Sequence, residues 1–503
     1  MSSAARGGAT FLGLDIGTSS VKALLIDADQ RTVADVSVPL SLSRPRPLWS
    51  EQNPQDWVDG VEAAVAAIRR QAGEAFLALA GVGLSGQMHG ATLLDDHDAP
   101  LRPAILWNDV RSFAECVELE RRVPDFRRRA GNIAMPGFTA PKILWVAAHE
   151  PEVFAATARV LLPKDFVRLR LTGQAVSEMS DASGTLWLDI ARRQWDDALL
   201  DASDLTLAHM PRLVEGSEVS AYLAPAVAEA WGLAGRRIPV AGGGGDNAAS
   251  AVGVGAIDPG SGFVSLGTSG VIFSTTDRFV SLPERTLHAF CHALPNRWHG
   301  MAVMLSAASA LSWIADALGR ADDIGGCIDA AEAFARAPEA VAAAPVFLPY
   351  LSGERTPHND ANATGLFAGL RAEHGAGALI YAVLEGVAFA FADGVDVLVA
   401  AGAKPEAPLL VGGGARSPFW GQMIADVTGL TIDLAAGAEA GAALGAARLA
   451  MLAAGAGDER AVCARPPIQR QFVPDAASAA LHAPRLKRFR ALYAAEKAAR
   501  VEG

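Results

Sequence analysis

The sequence predicts an α/β protein of two domains that face each other across a ligand cleft. Three observations predict it. Residues 11–22, FLGLDIGTSSVK, read as an apolar strand ending in Asp15, a Gly17-Thr18-Ser19-Ser20 turn and a returning strand; residues 262–274, GFVSLGTSGVIFS, repeat this around Gly267-Thr268-Ser269-Gly270 roughly half a chain later. That recurrence is what a duplicated architecture with two facing halves requires. The chain has 503 residues, more than one hydrophobic core usually organises. Finally, several apolar strands end on polar residues, where open α/β sheets place their ligand contacts.

Taken in order, the first turn joins two strand-forming runs through a glycine that permits a tight turn and hydroxyls that can donate hydrogen bonds. Successive backbone N–H groups there form a concave donor surface suited to phosphate oxygens. Asp15 at the strand end can hold a hydrated magnesium ion facing the same oxygens. Alone, this stretch reads equally as a structural hairpin with a capping aspartate. The second copy decides for a pair of phosphate turns that clamp a polyphosphate. Leu266 precedes the second turn, so the metal side is assigned to the first. The GxxxxGK[ST] pattern of phosphate-loop NTPases is missing from the chain.

After a third strand, VADVSVPL, a Pro-rich crossing leads into the helix pattern WVDGVEAAVAAIRR. Residues 80–94, AGVGLSGQMHGATLL, read as strand, turn, strand, with Gln87, Met88 and His89 at a strand end. AILWNDVRS repeats the arrangement with Asn108 and Asp109. Two polar strand ends point to one cleft. Residues 112–192 carry mostly helical signals broken at Pro124, Pro136, Pro141 and Pro163, as in an insertion borne by the first domain; Lys142 and Trp145 fall one turn apart within it, either lying over the core or facing the cleft. In PVAGGGGDNAASAVGVG, residues 239–255, a short strand delivers four glycines and then Asp246-Asn247 at the start of an Ala-rich helix. A helix cap explains Asp246 by itself. The glycine run is entropically costly in ordered backbone, which favours a close backbone approach to a ligand.

AIDPGSG, residues 256–262, marks the joint, dividing the chain into domains 1–256 and 257–503. In HAFCH, His288, Cys291 and His292 would suit a metal only on a helix with a fourth ligand, and the surrounding residues signal neither. FLPYLSGERTPHND, with Glu354 and Arg355, is expected to shape the domain contact. A long apolar helix pattern follows over residues 378–402, then LLVGGGARSPFW, where Gly412, Gly413 and Gly414 at a strand end would let a flat ring lie on backbone. The last element is expected to start at Pro484, with Leu486, Phe489 and Tyr493 at helical spacing.

Hydrophobic residues at 51% and charged residues at 19% fit a soluble enzyme. A net charge of −12 disfavours nucleic acid and anionic membranes as partners. Four scattered cysteines without CxxC spacing, no signal-peptide core and no uninterrupted apolar span predict a cytoplasmic location. Gly437, Gly441 and Gly445 form a double GxxxG, but Glu439 and Arg448 lie beside it, so a soluble helix packed closely on a sheet is expected.

These motifs together resemble those of the FGGY carbohydrate kinases of the actin and sugar-kinase superfamily. The likeness covers nearly the whole chain, most specifically in LDIGTSSVK, GLSGQMHGATLLD, RPAILWND, MPGFTAPKILWV, GGGGDNAA, SLGTSGV and GGGARSPFW. It implies a two-domain actin-like, ribonuclease H-like ATPase fold with ligands in the interdomain cleft. QMHG followed by WND is similar to the branch that acts on xylulose, whereas glycerol kinases carry Arg-Glu at the place of Met88 and His89. The resemblance thus implies ATP-dependent phosphorylation of D-xylulose to D-xylulose 5-phosphate, in xylose catabolism feeding the pentose phosphate pathway. It implies Asp246 as general base and Asp15 as the residue orienting magnesium and the γ-phosphate. Met88, His89, Asn108 and Asn247 would line the sugar; Thr18, Ser19, Gly267 and Thr268 would hold phosphates; Gly413, Gly414 and Ser417 would lie by the nucleoside. ATP and Mg2+ are the cofactors implied, and a homodimer is compatible with the likeness. Phosphoryl transfer needs positioning and charge neutralisation above all, and an unshifted aspartate of pKa about 3.9 is ionised at neutral pH. A non-catalytic actin-like switch would show the phosphate turns without a second polar cluster, and Gln87 to His89 with Asp246-Asn247 supply one.

Overall fold

A computed structural model describes residues 8–436 and 441–502. Two seven-stranded sheets organise them. The first runs in the order Val219–Tyr222, Pro239–Ala241, Leu79–Gly86, Thr10–Ile16, Ser20–Asp27, Thr32–Pro39, with Gly244–Gly245 also pairing to Leu79–Gly86. The second runs His288–Cys291, Trp298–Met304, Gly270–Thr276, Gly262–Leu266, Leu409–Val411, Ile432–Ala435, Ile468–Phe472. In each, the strand entering the Gly-Thr turn has two successive antiparallel neighbours on one side. On its other side lie two parallel strands and then a reversed one. The same path is drawn twice in one chain, as the repeated hairpin predicts.

Both turn-bearing strands are buried on both faces, because helices cover them. The helix Gly441–Ala453, from the second half of the sequence, lies directly on the first sheet and on the helix Asp246–Val254. Only residues without a side chain allow this approach. A Cβ at Gly13 would sit 2.0 Å from the Ala443 carbonyl oxygen, one at Gly83 1.8 Å from that of Ala446, and one at Gly445 1.7 Å from that of Ala249. The close packing expected of the GxxxG run is therefore present at Gly445, whereas a Cβ at Gly441 would meet nothing within 4 Å; Gly437 and Glu439 lie outside the described residues.

The core of the second half is built around Ala376–Ala400. Among the described residues this one helix is long and apolar enough to cross a membrane, but Glu385 and Asp393 interrupt it and 94% of its most apolar window is buried within the fold. It is a packing helix. The last helix, Ala476–Glu502, does not begin at Pro484 as expected: Asp475 caps it by accepting from Ser478 N at 2.8 Å, and Pro484 lies inside. Proline removes one helical hydrogen bond, but flanking side chains anchor the turn. His482 Nδ1 meets Glu385 at 2.9 Å, and Arg485 grips Glu385 and the Ala344 carbonyl.

Candidate active site between the two sheets

The first turn is braced by a polar chain beneath it. Trp57 Nε1 and Gln87 Nε2 both donate to Gln52 Oε1 at 3.0 and 2.8 Å; Thr18 Oγ1 donates to Gln87 Oε1 at 2.9 Å and accepts from Trp107 Nε1 at 2.9 Å. The Thr18 hydroxyl is thereby committed to Gln87 and Trp107, while Ser19 stands exposed at the tip. Asp15 is half-buried below, with Oδ1 lacking any hydrogen-bond partner. Burial raises its carboxyl above the ordinary range, against the lowering effect of Ser85 and Lys22.

The second turn is closed by the start of the helix Ala308–Ala317. Gly267 O accepts from Ala308 N at 2.8 Å, and Thr268 O from Ala307 N and from Ser309 Oγ. Between the turns lies a cavity of about 340 Å3, walled by Met88, His89, Trp107, Phe138, Asp246 and Asn247 from the first half and by Ser265, His288, Phe290 and Arg355 from the second. Asn247 and Ser265 also line a neighbouring space of about 390 Å3, which reaches Gly413 and Arg416. Those two residues in turn open onto a third cavity of about 620 Å3, lined by Gly414, Ser417 and Phe419. Shared walls join the three into one trough.

His89 sits in the left-handed region at φ 69° and is held there. Its Nδ1 lies 2.8 Å from the Gly184 carbonyl and so carries the proton, leaving Nε2 as the acceptor; its own carbonyl accepts from Lys142 Nζ at 2.8 Å. Burial, then the Lys142 charge, pushes the imidazole down to about 3, so it is neutral. Lys142 is wholly buried and also donates to Gly137 O, which makes it a clamp on the loop.

Asp246 opens its helix with Oδ1 accepting from Asn247 N at 2.7 Å and from Asn247 Nδ2 at 2.9 Å. Burial first, and then the charge of Asp15, push its carboxyl up to about 6. The unshifted value expected from sequence is thus corrected upward. Two of the glycines before it make room for neighbouring backbone: Gly243 adopts φ 79°, and a Cβ there would lie 2.1 Å from Leu84 O; one at Gly242 would lie 2.2 Å from Glu215 O. Gly245 lies against the cavity wall instead, where a Cβ would meet the Met88 side chain at 2.9 Å. Arg168, wholly buried, holds this run through the carbonyls of Ala241 and Gly242 at 2.7 and 2.6 Å, and Gly245 N donates to Ser180 Oγ at 3.0 Å.

Of the residues singled out from sequence, Met88, His89, Asp246 and Asn247 share the first cavity. Gly413, Gly414 and Ser417 share the third, where Ser417 Oγ caps the helix Pro418–Thr428 by accepting from Trp420 N. Asn108 does not line the first cavity, where its neighbour Trp107 does, and Asn108 Oδ1 is buried without a partner. Ser265 and Ser269 stand on the first cavity wall where Gly267 and Thr268 do not. Sequence reasoning missed Arg355, His288, Phe138 and Phe290. Two of the signals were present: GERTP was read as a domain contact, and Arg355 does stand on a cavity walled by both halves, while HAFCH was read only as a metal question. On the strand His288–Cys291, His288 reaches the cavity while Cys291 turns away toward Ile190 O. Among the described residues no three His, Cys, Asp or Glu side chains gather as metal ligands.

Comparison with known proteins finds the FGGY carbohydrate kinase N-terminal domain over residues 10–253 and the FGGY C-terminal domain over residues 262–454. The chain belongs to the FGGY family of carbohydrate kinases. This FGGY kinase is 50% identical to the xylulose kinase of Escherichia coli (strain K12) over 485 residues, 96% of this chain and 98% of that one. Its fold superposes on a xyloylose kinase from Brucella ovis with TM-score 0.91 at 47% identity, covering 97% of this chain and 99% of that one. A xylulose kinase from Rhodospirillum rubrum matches with TM-score 0.88 at 32% identity over 97% and 98% of the two chains. In this kinase, the repeated sheets bear the two turns, and the trough between them brings motifs of both halves to one place.

Proposed function

We propose that this FGGY kinase transfers the γ-phosphoryl group of ATP to O5 of D-xylulose, with Asp246 as general base. The reading rests above all on one observation: Asp246, raised to about 6 by burial and by the charge of Asp15, lines the same cavity as neutral His89 and Ser269 of the second turn. The sugar lies in the first cavity, its carbons against Met88, Phe138 and Phe290, its hydroxyls within reach of His89 Nε2 and Asn247. As O5 attacks phosphorus, Asp246 accepts the O5 proton, the bond from the γ-phosphorus to the β–γ bridging oxygen breaks, and ADP leaves. A carboxylate near 6 is mostly ionised at pH 7 yet more basic than a free one.

Asp15 fits a magnesium ion. Its Oδ1 has no protein partner and its charge bears on Asp246, so a cation held by this carboxylate, phosphate oxygens and waters relieves both; magnesium commonly binds through so few protein ligands. When bound, it neutralises phosphate charge. Thr18, Ser19, Gly267 and Thr268 present the two turns to the phosphates, and Gly413, Gly414 and Ser417 border the nucleoside. Residues 1–256 supply the metal side together with Met88, His89, Asp246 and Asn247 of the sugar site, and residues 257–503 supply the nucleoside side and the facing sugar wall at Phe290. All four cysteines are free and buried, in keeping with a cytoplasmic enzyme of xylose catabolism. An ATP-turnover panel over D-xylulose, D-ribulose, glycerol and xylitol tests the reading: D-xylulose should show the highest kcat/KM, with turnover abolished by EDTA and restored by magnesium. A higher kcat/KM for ribulose or glycerol overturns it.

A further inference from the structure

The wall that the second half of the chain contributes to the sugar cavity carries Arg355 and His288, and phosphoryl transfer as described gives neither a task. Arg355 is firmly mounted. Glu354 and Asp360 exchange backbone hydrogen bonds at 2.8 Å, Thr356 N donates to Val303 O at 3.0 Å, and Arg355 O accepts from Thr286 Oγ1 at 2.8 Å. Among the described residues its guanidinium has neither a hydrogen bond nor an ion pair; only its backbone is engaged. The one carboxyl acting on it is Glu354, which burial lifts to about 8 and which is therefore largely neutral at pH 7. The result is an uncompensated cation on the wall of a half-enclosed cavity. Beside it His288 is buried with both ring nitrogens lacking partners, its ring stacked on Phe290 at 5.9 Å.

The charge of Arg355 bears on His89 and His288, while the charges that bear on Asp246 and Asp15 come from other groups. The rings agree: Phe138 lies 4.7 Å from His89 and 5.7 Å from His288, and Phe290 lies 6.1 Å from His89 and 5.9 Å from His288, so the wall that carries His288 and Arg355 is the one at the His89 end of the cavity. We propose that Arg355, with His288, forms a subsite for the end of the ligand remote from the reacting hydroxyl, hydrogen bonding a ketose carbonyl there and holding the carboxylate of a five-carbon sugar acid more tightly. Charge-assisted hydrogen bonds are roughly twice as strong as neutral ones, and an anion supplies the partner that the protein withholds. The proposal rests on the reading of this cavity as the sugar site.

The test compares D-xylonate with xylitol, the neutral polyol of equal length, as competitors of D-xylulose at matched ionic strength. In the wild type, xylonate should compete with an inhibition constant about tenfold or more below that of xylitol, about 1.4 kcal/mol. Arg355→Gln should erase this preference and raise KM for D-xylulose with kcat little changed, and Arg355→Lys should restore part of it. Because the xylonate-to-xylitol ratio is read within each variant, loss of folded protein does not imitate the result. Normal turnover of D-xylulose with xylonate binding no better than xylitol overturns the subsite and leaves the sugar site standing. Retention of the preference in Arg355→Gln also overturns it. If D-xylulose is not phosphorylated by the wild type at all, the sugar-site reading itself falls, and the subsite with it.

Discussion

Asp246 is asked to be charged where charge is unwelcome. Its carboxyl is raised from 3.8 to about 6 by burial and by Asp15, and a group whose folded value is raised penalises the fold above that value and ceases to do so below its unfolded one. Asp246→Asn should therefore lower kcat by about 10^2 to 10^4-fold, the usual worth of a general base. The same change should raise stability at pH 7 by on the order of 1–3 kcal/mol. That gain should shrink as pH falls through 6 toward 4. Melting curves of both proteins over this range check it, and the acid limb of wild-type kcat/KM, with a midpoint near 6, should vanish in the variant. A variant that melts earlier at pH 7 with near-normal kcat would make Asp246 a helix cap.

At the scale of elements, the contact that ties the two halves is the helix Gly441–Ala453 against the first sheet and against Asp246–Val254. Glycines at 13, 83 and 445 permit it, since a Cβ at any of them would fall within 2.0 Å of a backbone oxygen. Backbone cannot step aside as a side chain can. Gly445→Val should cost about 3 kcal/mol or more in urea unfolding, by overpacking. Gly325→Ala, where a Cβ meets nothing within 4 Å, should change stability by less than about 0.5 kcal/mol. Equal effects of the two substitutions would deny the packing its importance. Because Asp246 starts the helix that Gly445 touches, partial loss of this contact should also weaken turnover before it unfolds the chain.

For the whole molecule, the two Gly-Thr turns sit on different sheets, one at the end of Thr10–Ile16 and the other at the end of Gly262–Leu266. In the function proposed, a single polyphosphate engages both only if the sheets hold it between them, and Asn247, Ser265 and Gly413 join the cavities of the trough along which it would lie. D-Xylulose with a non-hydrolysable ATP analogue should therefore compact the molecule in small-angle scattering, more than either ligand alone. An unchanged radius of gyration would count against a closing cleft. Closure also excludes water, which would otherwise accept the phosphoryl group in place of the sugar.

Sequence by itself determined what depends on neighbours along the chain. The duplicated hairpin, the polar strand ends at Met88 and His89, and Asp246 at a helix start were legible because turn chemistry and strand pattern are local. The apolar pattern of Ala376–Ala400 was legible for the same reason. What tertiary structure alone decided depends on residues far apart in sequence. Arg168 reaches across 73 positions to hold Ala241; Arg355 and His288 join Met88 in one cavity; Pro484 sits inside a helix because Glu385, about a hundred positions away, anchors the turns around it. Gly242 and Gly243 before Asp246 belong here too, since the atoms they make room for come from the strand Leu79–Gly86, at Leu84 O, and from the residue after the strand Arg212–Val214, at Glu215 O. So does the basicity of Asp246, because desolvation and the field of Asp15 exist only once both sheets have packed.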